Sequence, residues 1–63
     1  MGLNTINENR VALVRSYITE KGIKKSRIVH QTGLHFYVVE DILNYLEGLN
    51  QIENKEGKWR LKK

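Results

Sequence analysis

The chain of 63 residues has no cysteine, no proline, and a single residue each of tryptophan, phenylalanine and methionine. Without cysteine there is neither a disulfide staple nor a thiolate-ligated metal. A domain close to the lower size limit for unaided folding must then be held by its apolar core alone. The absence also fits a reducing compartment. Apolar runs are short, the longest being Val11-Ala12-Leu13-Val14 and Phe36-Tyr37-Val38-Val39. Neither is long enough for a membrane-spanning helix or a secretory h-region. Residues that carry chemistry are equally sparse. Ser16 and Ser26 have no nucleophile motif around them, and there is no glycine-rich phosphate loop. His30 and His35 miss the i, i+4 spacing of a helical zinc pair. The expectation is a protein with no enzymatic activity, cofactor, metal site, small-molecule substrate or membrane partner.

What the chain does have is 40% apolar residues, enough for one compact core, and a net charge of +4 with an isoelectric point near 9.6. Basic balance predisposes a small domain to polyanions, nucleic acid before anionic membrane. The distribution says more than the sum. Residues 21–27 carry Lys21, Lys24, Lys25 and Arg27 without an acid. Residues 35–53 carry Glu40, Asp41, Glu47 and Glu53 without a base. Residues 55–63 carry Lys55, Lys58, Arg60, Lys62 and Lys63 against Glu56. Two basic clusters therefore flank an acidic middle.

Periodicity divides the chain into one domain of closely spaced elements, residues 1–63. A first helix is expected over about 6–20, opened by a Thr5–Glu8 capping box and closed by Gly22 in a left-handed C-cap. Its inward stripe is Val11, Val14 and Ile18 with Leu13 and Tyr17. Ile23, isolated between helices, is placed to form one rung of strand with a later hairpin. A second helix covers about 25–31, with Ile28 and Val29 inward, and Thr32-Gly33-Leu34 ends it. A third covers about 36–49, burying Val38, Val39, Ile42, Leu43 and Leu46, with Asn50 as a left-handed stop. The remainder, about 51–62, reads as a hairpin: strand Gln51-Ile52-Glu53, turn Asn54-Lys55-Glu56-Gly57, then the alternating strand Lys58-Trp59-Arg60-Leu61-Lys62. Trp59 and Leu61 should face the helices, Lys58, Arg60 and Lys62 the outside.

The order helix, short strand, helix, turn, helix, hairpin, with Thr32-Gly33-Leu34, Val39, Leu43, Leu46 and Ile52 in register, resembles the winged helix-turn-helix domain of prokaryotic and archaeal transcription regulators. The resemblance runs from about Ile6 to Leu61. It implies a mainly α fold with a small β-hairpin (α+β): a three-helix bundle with a C-terminal wing. Three places depart from the family pattern. His35 stands where Ser or Thr usually caps the third helix, Asn50 replaces a glycine, and the outer face of that helix carries Glu40 and Asp41 instead of bases.

The function the resemblance implies is binding of double-stranded DNA, as a transcriptional regulator or DNA-associated accessory factor in the cytoplasm, at the nucleoid. The third helix would enter the major groove while the second helix and the wing hold the backbone. Lys24, Lys25, Ser26 and Arg27 would then meet phosphates at the start of the second helix, and Lys55, Lys58 and Arg60 from the wing. His35, Phe36, Tyr37, Glu40, Asp41 and Asn44 would face base edges. Asn pairs with adenine, a carboxylate accepts from the cytosine amino group, and aromatic rings touch the thymine methyl. The same face reads alternatively as a protein-interaction surface, since adjacent exposed aromatics also mark interfaces. A weak homodimer would have to use Phe36, Tyr37, Tyr45 or the first helix.

Overall fold

The computed structural model describes residues 7–62. Three helices, α1 (Glu8–Ser16), α2 (Lys25–Thr32) and α3 (Phe36–Gly48), precede an antiparallel hairpin of β1 (Ile52–Lys55) and β2 (Lys58–Leu61). The architecture is α+β, as expected. No helix among the described residues is long and apolar enough to cross a membrane.

The first helix differs most from its expectation. Its cap is Asn7, whose side-chain oxygen accepts from the amides of Asn9 at 2.9 Å and Arg10 at 3.3 Å, satisfying two donors that lack an intrahelical partner. Thr5 of the expected capping box lies outside the described residues. The helix also stops at Ser16, four residues before Glu20. The reason is tertiary: the Thr19 carbonyl accepts from Leu61 N at 3.1 Å, and Ile23 pairs with Trp59. The segment after Ser16 is thus recruited by the hairpin. Ile18 still reaches the core from it, 3% exposed. Gly22 is left-handed, φ +95°, but it shapes this segment and does not cap α1. Leu13 lies 38% exposed, outside the core it was assigned to, because it sits off the face that carries Val14. Tyr17 is half-buried.

The other helix ends follow their residues closely. α2 runs through Thr32, whose hydroxyl donates to Ile28 O at 2.8 Å and accepts from Leu34 N at 3.2 Å. Gly33, φ +73°, donates its amide to Val29 O at 2.9 Å, so the three-residue turn closes the helix by both side chain and backbone. α3 ends in a Schellman arrangement. Asn50, φ +62°, donates to Glu47 O at 2.9 Å, and Gln51 to Leu46 O at 3.1 Å. The hairpin pairs Ile52 with Leu61, Glu53 with Arg60, Asn54 with Trp59 and Lys55 with Lys58. Asn54 and Lys55 therefore belong to β1 and not to the turn, which is the pair Glu56-Gly57. Both have positive φ, 55° and 83°, the twist that suits a two-residue hairpin loop.

Val14, Ile18, Ile28, Val39, Ile42, Leu43, Leu46 and Ile52 form the buried core. Val11, Ile23, Val29, Leu34, Val38, Trp59 and Leu61 pack around it half-buried. Every described element contributes at least one of these residues. Trp59 and Leu61 face the helices, as their alternation indicated.

Gly22 and Gly33 separate two costs of a side chain. A Cβ at Gly33 meets nothing within 4 Å, whereas one at Gly22 would stand 3.1 Å from the Lys58 Cβ. In thermal or denaturant unfolding, Gly33→Ala should cost about 1 kcal/mol from backbone strain alone. Gly22→Ala should cost clearly more, about 2–3 kcal/mol, because the hairpin must also shift.

Candidate nucleic-acid interface

The two basic clusters are distant in sequence, and one backbone pairing brings them together. Ile23 N donates to Trp59 O at 2.8 Å and Trp59 N to Ile23 O at 2.7 Å. This rung lays β2 along the segment before α2. Gly22, lacking a side chain, lets Lys58 lie against it. The product is an open concavity of about 500 Å³ lined by Tyr17, Thr19, Lys21, Gly22, Ile23, Lys24, Arg27 and Lys58. Four cations surround it and no acid does. α2 begins at its rim. Lys24 is the N-cap residue, no side chain caps the helix and no acid lies in its first turn. The first amides of α2 have no acceptor within the helix, and the helix dipole adds partial positive charge there.

The remaining expected phosphate contacts separate into two kinds. Lys25 Nζ lies 3.5 Å from Glu40 Oε2 and 4.9 Å from the centre of the Phe36 ring. Arg60 directs both Nε and Nη2 to Glu53 Oε2, each at 2.7 Å, across the hairpin. These two cations are neutralised by acids of the protein. Ser26 and Lys55 are exposed and outside the concavity. Lys55 nevertheless sits directly opposite Lys58 in the ladder, a like-charge pairing that destabilises a hairpin unless an anion lies nearby. Lys21 and the polar groups of Tyr17 and Thr19 were not among the expected contacts. The acid-free run at 21–27 carried the signal for Lys21; nothing in the sequence carried it for the other two.

The outer face of α3 is as expected. Phe36, Tyr37, Asp41 and Asn44 are exposed, and Glu40 is half-exposed beside Lys25. His35 belongs to this face and also caps α3. Its Nδ1 accepts from Tyr37 N at 3.1 Å, so a ring nitrogen does the work that a side-chain oxygen more often does at a helix start. The His35 and Tyr37 rings stack, centroids 5.0 Å apart at 13°, and Phe36 tilts against Tyr37 at 4.7 Å. Three rings thus form one exposed patch at the start of α3. Among the described residues no three His, Cys, Asp or Glu side chains are grouped to hold a metal ion.

No family model, curated protein or solved structure matches this chain.

The cap generates a test. His35→Ala should lower stability by about 1 kcal/mol in urea unfolding, while His35→Asn, which also caps, should restore most of it. Equal losses in both variants would show that the ring stacking, and not the Nδ1 acceptor, supports the start of α3.

Proposed function

We propose that this chain is a winged helix-turn-helix domain that binds double-stranded DNA, with α3 directed into the major groove and the hairpin as the wing. The observation that carries the reading is the acid-free concavity in which Lys21, Lys24, Arg27 and Lys58 converge from two sequence clusters at the start of a helix. A cluster of four cations around an open hollow matches a row of phosphates in charge. Lysine and arginine contacts of this kind supply affinity without reading sequence. Tyr37, Asp41 and Asn44 on α3 are the groups available to base edges. Transcriptional regulation is the natural role of such a domain.

Fluorescence anisotropy of a labelled random duplex tests this directly. Neutralising about four phosphates gives a log-log salt slope near −3.6, so binding should weaken roughly a hundredfold between about 50 and 200 mM salt. Lys24→Ala/Arg27→Ala should reduce affinity at least tenfold and flatten the slope by about two. Lys25→Ala should change both much less, because Glu40 already neutralises that charge. Glu40→Gln, which releases Lys25, should tighten binding. Absence of duplex binding at low salt rejects the proposal.

A second reading has its own observation in the exposed His35, Phe36 and Tyr37 rings next to Asp41. An aromatic patch bordered by acids suits a basic peptide segment. It predicts that Tyr37→Ala leaves duplex affinity untouched and abolishes peptide capture instead.

A further inference from the structure

α1 is the least covered of the three described helices. Of its nine residues only Val14 is buried, and Ala12, Leu13 and both flanking charges lie open. One of its faces is ordered in a specific way. Glu8, Val11, Ala12 and Arg15 follow the spacing i, i+3, i+4, i+7 and so lie in one row. With Tyr45 of α3 they line a shallow groove of about 210 Å³. Val11, Ala12 and the Tyr45 ring, 44% exposed, form its apolar middle. Glu8 marks one end and Arg15 the other, and neither forms an ion pair among the described residues.

We propose that this groove is a self-association surface, in which α1 packs antiparallel on α1 of a second copy of this chain. The charge pattern selects the partner and the direction. A twofold axis passing between the levels of Val11 and Ala12 brings Glu8 opposite Arg15 of the second copy, and Arg15 opposite its Glu8. Each charge then has an opposite partner, and Val11 faces Ala12 of the second copy. A parallel arrangement would instead set Glu8 against Glu8 and Arg15 against Arg15. Such self-complementarity is what an isologous twofold contact requires. Ala12, the smallest side chain of the row, stands next to the axis, where two helices need room to approach closely. The helix dipole by itself favours an acid in the first turn and a base in the last. It gives no reason for an exposed alanine and an exposed tyrosine ring beside the half-buried Val11 between them.

The contact is short. A face of nine residues is about 13 Å long and falls well below the 1,200 Å² or more of a stable interface. The dimer is therefore weak, with a dissociation constant on the order of 0.1–1 mM. The inference stands independently of DNA binding.

Sedimentation velocity and amide NMR shifts, followed from about 0.05 to 2 mM protein at low salt, measure it across the range where such a weak dimer forms. Wild-type protein should associate, with concentration-dependent shifts confined to α1 and the neighbourhood of Tyr45. Glu8→Lys leaves only positive charge on the face and Arg15→Glu only negative, so each variant alone should stay monomeric. Mixed in equal amounts they should associate, because every facing pair is then opposite. Ala12→Gln, a substitution that keeps the helix, should remove association in the wild-type background. Circular dichroism confirms that each variant is folded. Two results overturn the proposal. One is a wild-type protein that stays monomeric throughout, which leaves the groove to the chain's own first six residues or to a different protein. The other is a mixture that associates no better than its components.

Discussion

One pair of hydrogen bonds, between the backbones of Ile23 and Trp59, determines where everything outside the helical core can be. The two residues are separated by the whole of α2 and α3, so the pair is costly to close in a loose chain and is affordable only once those helices hold its ends together. Once formed, it fixes the hairpin against the segment before α2, takes the Thr19 carbonyl for Leu61, and ends α1 early. The boundary of the first helix, the position of the tryptophan and the shape of the basic hollow are consequences of the same rung.

The rung also explains why net charge is a poor guide to this surface. Eleven bases and seven acids give +4, but the cations differ in what surrounds them. Lys25 and Arg60 face Glu40 and Glu53, each pair more than a third exposed. Such pairs contribute little to stability. Their effect is on the field. They leave the hollow between α2 and β2 as a region where four positive charges stand together, bounded by locally neutral ground. A ligand that approaches meets a narrow positive hollow instead of a uniformly basic face.

Much of this was legible in the sequence where a local signal and the tertiary structure agree. Thr32-Gly33-Leu34 and Asn50 ended their helices as their chemistry indicates, the stripe of α3 buried Val39, Ile42, Leu43 and Leu46, and the isolated Ile23 formed its single rung. Where the two disagree, local reading failed. Helical periodicity through Glu20 gave no sign that Thr19 would be claimed by Leu61. Helical periodicity put Leu13 in the inward stripe of α1, but it lies more than a third exposed. The candidate site was legible as a set of charges and not as an arrangement. Only coordinates distinguish Lys24, Arg27 and Lys58, which gather with Lys21, from Lys25 and Arg60, which are held by acids. His35 stood out in the sequence only as a departure from a Ser or Thr cap, because its capping depends on a ring nitrogen meeting one amide.

Among the described residues the sheet has two strands, and the far side of β1 has no strand partner. An unpaired strand edge is a template for another chain, and in a protein this small such an edge makes up a large share of the backbone exposed to neighbours. Here it is four residues long and carries Glu53, Asn54 and Lys55 in succession, a short, polar and charged run of the kind that discourages edge-to-edge addition. The sheet is thereby protected from growing into a fibre, a safeguard for a chain whose folding must proceed without a disulfide to hold it closed.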